Sequence, residues 1–209
     1  MEIYLEEFKK MVYKLNQHPK IIVTDFVINP PATEKEIKFA KKRFKLTNDM
    51  LDFYKSANGI KLSWELKDTE DTVMGRIELL PVQEVFQDWK DTIYWDNNDK
   101  YKQLHPLDFF VPEACTVLNL DGSDNPEVYF HYCGEDQHTL KMDFKEYLNA
   151  LLKTRGFWYW QTVVIAEQTG EENTTEVENF RVNMPTLFLD FELSEILKKE
   201  NNNYYKTSP

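Results

Sequence analysis

Residues 30–64 read PPATEKEIKFAKKRFKLTNDMLDFYKSANGIKLSW, and the order of signals in this stretch decides the fold class. Pro30 and Pro31 can extend neither a strand ladder nor a helix interior, so they end the preceding element and leave Thr33 to open a new one. Thr33 and Glu36 stand at the spacing of a capping box, in which hydroxyl and carboxylate each take one orphan amide. Ile37, Ala40 and Phe44 recur at i, i+3, i+7, an apolar stripe on a helix whose other faces carry Lys35, Lys38, Lys41, Lys42 and Arg43. Asn48 is the expected cap of a second helix, apolar almost all round through Met50, Leu51, Phe53, Tyr54 and Ala57, with Asn58-Gly59 as its left-handed stop. Ile60, Leu62 and Trp64 then alternate with Lys61 and Ser63, the period of a half-buried strand. The unit is helix, helix, strand, with Ile37, Phe44, Phe53 and Trp64 expected in its core.

Outward from this unit, Tyr4, Phe8, Met11, Val12 and Leu15 predict an amphipathic helix over 2–17, and 21–28 a strand. Residues 73–80 predict a strand pairing with 60–64 across an acidic turn, 81–86 a short helix, and 96–102 a polar loop. A three-stranded meander follows from 116–120, 128–132 and 139–142, with Phe109 to Pro112 leading into it. Asp143 and Glu146 repeat the capping-box spacing ahead of a helix carrying Phe144, Tyr147, Leu148, Leu151 and Leu152, closed by Gly156. The FWYW run at 157–160 closes a core, 167–178 reads as an acidic linker, the apolar cluster from Leu187 to Leu197 docks back, and 201–209 frays. The expected fold class is α+β, an antiparallel sheet packed against N- and C-terminal helices, with a domain over 1–165 and a C-terminal extension over 166–209.

Two of these strings, PPATEKEI and FYKSANGIKLSW, resemble the N-terminal signature of the SUKH superfamily, the Smi/Knr-like domains. Phe109 to Leu120 and Phe144 to Gln161 are similar to later parts of the same pattern, so the resemblance covers most of the first 161 residues. Many members are bacterial immunity proteins against secreted toxins, often nucleases. The resemblance therefore implies a SUKH-like fold and a non-catalytic protein that neutralises a cognate toxin by covering it. A regulatory interaction module, as in the fungal relatives, is the other function it implies.

Lys and Arg number 25 against 36 Asp and Glu, a net charge of −11, which argues against a phosphate-backbone binder and suits a basic protein partner. Cys115 and Cys133 have no C-x-x-C spacing, so reduced structural thiols are expected. Neither a secretion signal nor an apolar stretch of the ~20 residues a membrane span needs is found, so a cytoplasmic location is expected, without membrane contact. With 6 glycines and no nucleophile elbow, phosphate loop or dinucleotide fingerprint, no catalytic residue and no cofactor is expected.

His131, Cys133 and His138, beside Glu135 and Asp136, form the one grouping with metal-ligand character, and a metal-dependent hydrolase using His131 and His138 is a third functional reading. A polar hairpin turn explains the same residues without a metal. Asp121 to Asn125 lacks the spacing of a calcium loop and reads as a β-turn. Acidic side chains gather instead at Asp68, Glu70 and Asp71, at Asp88, Asp91, Asp96 and Asp99, at Asp121, Asp124, Glu135 and Asp136, and at Glu171, Glu172, Glu176 and Glu178. Turns of this kind meeting at one end of a sheet would steer a basic partner. The expected partner-binding residues are Asp68, Glu70, Asp71, Asp121, Asp124, Glu135 and Asp136, with Trp89 and Trp95 as interface anchors.

Overall fold

The computed structural model describes residues 3–67, 73–132, 137–170 and 174–197. Helix α1 (Ile3–Gln17) leads into β1 (Ile21–Ile28), and past Pro30-Pro31 come α2 (Glu34–Lys41) and α3 (Asn48–Tyr54). Strands β2 (Ile60–Leu66) and β3 (Met74–Leu79) follow, then the short helix α4 (Val82–Val85). Strands β4 (Leu104–Val111), β5 (Ala114–Asn119), β6 (Val128–Tyr132) and β7 (Gln137–Met142) complete a seven-stranded antiparallel sheet in strict sequence order. The chain ends in α5 (Phe144–Thr154), α6 (Trp160–Thr169), α7 (Thr175–Leu187) and a 3-10 turn (Leu193–Glu195). The fold is α+β, as the sequence pattern indicates.

Local chemistry explains the helix boundaries. Thr33 Oγ1 accepts from Glu36 N–H at 3.3 Å while Glu36 Oε2 accepts from Thr33 N–H at 2.7 Å. The Asp143 and Glu146 pair closes in the same way, at 2.9 Å in each direction. The second helix differs from expectation, because Thr47 rather than Asn48 is its cap, taking Met50 N–H at 3.3 Å. Nor does Asn58-Gly59 stop it, since α3 ends at Tyr54 with Lys55 as its C-cap. Asn58 is buried and fastens α4: its side chain accepts from Val82 N–H at 2.8 Å and donates to Gln83 Oε1 at 3.0 Å.

Ile37, Phe53, Trp64 and Leu148 are buried, whereas Phe44 and Leu152 are only half-buried at the margin of the same core. Residues 104–108 belong to β4, where the sequence reading had only a lead-in to a strand, and the buried Pro106 sits beside an irregularity in its pairing with β5. In the stretch expected as a linker, 167–178, the described residues are mostly helical: α6 extends to Thr169 and α7 starts at Thr175. Glu176 and Glu178 lie in the first turn of α7, where they complement the positive end of the helix. Helix α6 runs across residues 165 and 166, and Val177, Phe180, Met184, Leu187, Phe188 and Ile196 all join the main core. Residues 201–209, expected to fray, lie outside the described residues.

The sheet splays between β3 and β4. Leu79 pairs with Asp108 and Leu80 N–H bonds Leu107 O at 3.0 Å, but the lower half of β3 turns to another partner. The segment after α5 takes that place, with Arg76 N–H on Gly156 O at 2.7 Å and Trp158 N–H on Met74 O at 2.9 Å. Close approach dictates glycine there. A Cβ on Gly156, at φ 65°, would stand 2.4 Å from Ile77 Cγ1 and 2.8 Å from Arg76 O, and one on Gly75 would stand 2.2 Å from the Trp64 indole. The helices build the main core on one face of the sheet. On the other face, Leu104, Cys115 and Val117 are covered by the β3–β4 connection through Ile93.

These packings set the cost of substitution. Thr33→Ala is expected to destabilise by about 1 kcal/mol and Leu148→Ala by about 2 to 5 kcal/mol, read from urea unfolding midpoints. Equal small effects for both would contradict the core placement of α5.

Candidate functional site

In an antiparallel meander, connections alternate between the two ends of the sheet. The β3–β4 connection (80–103) and the β5–β6 turn (120–127) therefore share one end with α2 and α3, while the β2–β3 and β6–β7 connections leave at the opposite end. Asp68, Glu70, Asp71, Cys133, Glu135, Asp136, Glu171 and Glu172 lie outside the described residues. The described strand ends Leu66 and Tyr132 lie at the end of the sheet opposite the one that carries Asp88, Asp91, Asp96, Asp99, Asp121 and Asp124. Of the acidic turns, those at 88–99 and 121–124 share the described end of the sheet that also carries Trp89 and Trp95.

The 86–103 connection is held by its own carboxylates. Asp99 accepts from Trp95 N–H and Tyr101 N–H, each at 2.9 Å, and these amides hold its carboxyl below the usual range. Asp88 accepts from Tyr94 Oη and from Lys90 N–H, and is likewise lowered, chiefly by the tyrosine. Asp96 caps Asn98 N–H at 2.7 Å. Underneath, Ile93 is buried against Leu104, Cys115 and Val117, and Trp89 is half-buried against Phe109 with its Nε1–H on Val85 O at 3.2 Å. Trp89 thus supports the loop, while Trp95 stands 61% exposed at its tip. Asp121 and Asp124 are exposed in the neighbouring turn, Asp121 accepting from Ser123 N–H at 3.0 Å and Asp124 paired with Lys45 at 3.1 Å. Between loop and α2 lies an open cleft of about 370 Å³, whose lining includes Phe86, Trp89, Tyr94, Lys102 and His105, with Arg43 on the α2 side. The surface is bipolar, acidic around Trp95 and basic toward α2.

Of the His131 grouping, the two described members, His131 and His138, do not come together. Register places His131 opposite Cys115 and Gln137, and His138 opposite Phe130, so the two imidazoles point to opposite faces. His131 is buried against the Tyr101 ring, 5.0 Å between centroids, and burial lowers its pKa; His138 is exposed. Among the described residues no three His, Cys, Asp or Glu side chains come together as a metal site. Nor is any described helix long and apolar enough to cross a membrane.

The most perturbed carboxyl is one that sequence reasoning missed, Asp108 on β4. Its Oδ1 accepts Glu78 N–H at 2.7 Å, and its Oδ2 accepts Tyr147 Oη–H at 2.8 Å, which in turn accepts from Thr116 Oγ1 at 2.9 Å. Burial pushes Asp108 up to about 7, with Glu78 adding to the rise and Arg76 opposing it. Asp108, Thr116 and Tyr147 are all 0% exposed, so no substrate reaches them and the network is a structural joint. One aspartate set within a mostly apolar run, LHPLDFFV, is the sequence sign of it.

Comparison with protein-family models, with curated proteins and with solved structures finds no match to this chain.

The Asp108 joint has a pH signature. A carboxyl near 4 when unfolded and about 7 when folded keeps its proton in the fold across that interval, so its contribution to stability falls as pH rises through it and is level above. Between pH 5 and pH 8 the wild type is expected to lose about 2 to 3 kcal/mol more than Asp108→Asn in urea unfolding. Identical pH dependence of the two proteins would contradict it.

Proposed function

We propose that the chain is a non-catalytic binding protein of the SUKH immunity type, which neutralises a basic cytotoxic domain by direct contact through the loop end of its sheet. The observation that carries this reading is Trp95, held out from a loop whose backbone is fixed by Asp88, Asp96 and Asp99. A pre-formed loop loses little entropy on binding, and a large aromatic side chain at its tip is a typical source of binding energy. The carboxylates around it, with Asp91, Asp121 and Asp124, supply the field that draws in a basic surface such as that of a nuclease. The resemblance of residues 30–64, 109–120 and 144–161 to the SUKH pattern supports the immunity role, and the net charge of −11 supports a basic partner.

Binding kinetics to a basic toxin domain, sought among the genes adjacent to the one for this chain, separate the two contributions. Asp91→Asn, Asp96→Asn and Asp124→Asn together should slow association by about tenfold at low ionic strength, with the difference vanishing in ~1 M salt where the Debye length is ~3 Å. Glu65→Gln with Glu113→Gln, at the other end of the sheet, should leave association within about twofold. Trp95→Ala should speed dissociation by roughly tenfold or more with little change in association. An association rate indifferent to salt and to the first triple variant would contradict the proposal.

A further inference from the structure

One element of this acidic chain carries a run of cations. Helix α2 and the turn after it carry Lys35, Lys38, Lys41, Lys42 and Arg43, all exposed, while Ile37 and Ala40 face the core. The ion pairs found among the described residues engage other cations; only Arg43 has a local partner, the Phe39 ring 3.7 Å below its guanidinium. Lysines three and four apart on one helix repel each other, so the spacing Lys35, Lys38, Lys41, Lys42 works against the helix that bears it. The helix has two acids to set against it: Glu36 is committed to the Thr33 cap, which leaves Glu34, one turn before Lys38.

Beside this stripe the surface has a recess of about 240 Å³ between α2 and the end of α3. Ala32 and Ile37 form its apolar floor, Lys38, Lys41 and Lys55 stand on its rim, and Glu34 closes the end nearest the helix start. We propose that this recess docks an acidic segment of a partner protein, with one apolar side chain on Ala32 and Ile37 and flanking carboxylates on Lys38, Lys41 and Lys55. The charge of the rim selects the sign of the ligand, and the floor selects its class. A phosphate backbone has nothing to place on an apolar floor, and a polyanion longer than the recess would run into the field of a chain whose net charge is −11. This surface is opposite in sign to the one around Trp95, so it takes a different ligand and stands independently of the toxin-binding reading.

Fluorescence anisotropy with short labelled probes tests it: a peptide of Glu and Asp with a central Phe, the same peptide with a central Ser, and an oligothymidylate of equal charge. The Phe peptide is expected to bind, and Phe to Ser to weaken it by about tenfold, the worth of burying one aromatic ring in a shallow site. Lys38→Glu with Lys41→Glu should weaken it by about tenfold, and Lys55→Glu, outside α2, by about threefold, so the test does not hang on the folding of one helix. Lys20→Glu with Lys67→Glu, the same charge change at the far end of the sheet, should alter affinity by less than about twofold. Absence of binding, equal losses in the two double variants, or oligothymidylate binding as tightly as the Phe peptide would each overturn the proposal, the last in favour of a nucleic-acid surface.

Discussion

The carboxyl of Asp108 sits where the sheet is joined least by backbone. Strand β3 has one edge to offer and two claimants: β4 takes its upper half, and the Gly156 to Trp158 segment takes its lower half. At the crossover Glu78 N–H has no strand carbonyl to bond, and the Asp108 side chain accepts it instead. The other oxygen reaches Tyr147 on α5, so a single carboxyl joins β3, β4 and the helix that covers them. A buried amide left without a partner would be costly, and a buried carboxylate more so. Retention of the proton is the compromise, and it makes this joint sensitive to pH in a way the apolar core is not.

The splay also shapes the surface. Because β3 and β4 meet only near their upper ends, the connection between them leaves from the same end as α2 and α3 and folds over the outer face of β4 and β5. That connection acquires a small core of its own through Ile93, and with it the stiffness to hold Trp95 in solvent. At the far side of the seam, Trp64 fills the space left by Gly75 and donates its Nε1–H to Arg155 O at 2.7 Å. Arg155 in turn pairs with Asp190 at 2.6 Å and lies over Phe188, which pins the end of the chain to the sheet. His18 adds a second tie, its Nε2 against Leu187 O at 3.1 Å. Core, seam and display loop are therefore one mechanical unit, and the two oppositely charged surfaces share a single end of it.

How far the sequence disclosed this depends on the range of each signal. Capping boxes at Thr33 and Asp143 are short-range chemistry, complete within four residues, and they read correctly. The alternation of Ile60, Leu62 and Trp64 marks one buried face and likewise survives in β2. Signals that needed a distant partner did not carry. Asn58 looks like a helix stop until Val82 and Gln83 are placed against it. Helix α6 buries side chains nearly all round, so no period betrays it, and in α7 the acids and Pro185 masked a stripe of Val177, Phe180, Met184 and Leu187. Strand β4 was hidden by Pro106, and Asp108 by its resemblance to any other acid. For the candidate site, Trp95 and Asp124 were legible as exposed, but that the 86–103 connection and the 120–127 turn share one end of the sheet is a property of strand order alone.

The claim that partner recognition belongs to the loop end of the sheet is tested most directly by amide hydrogen exchange on the chain with and without the basic toxin domain bound. The account predicts slowed exchange over 91–102 and 121–125, with the strand ends at 20–22, 65–67 and 131–132 unchanged. Protection confined to those strand ends, with 91–102 exchanging as in the free chain, would contradict it.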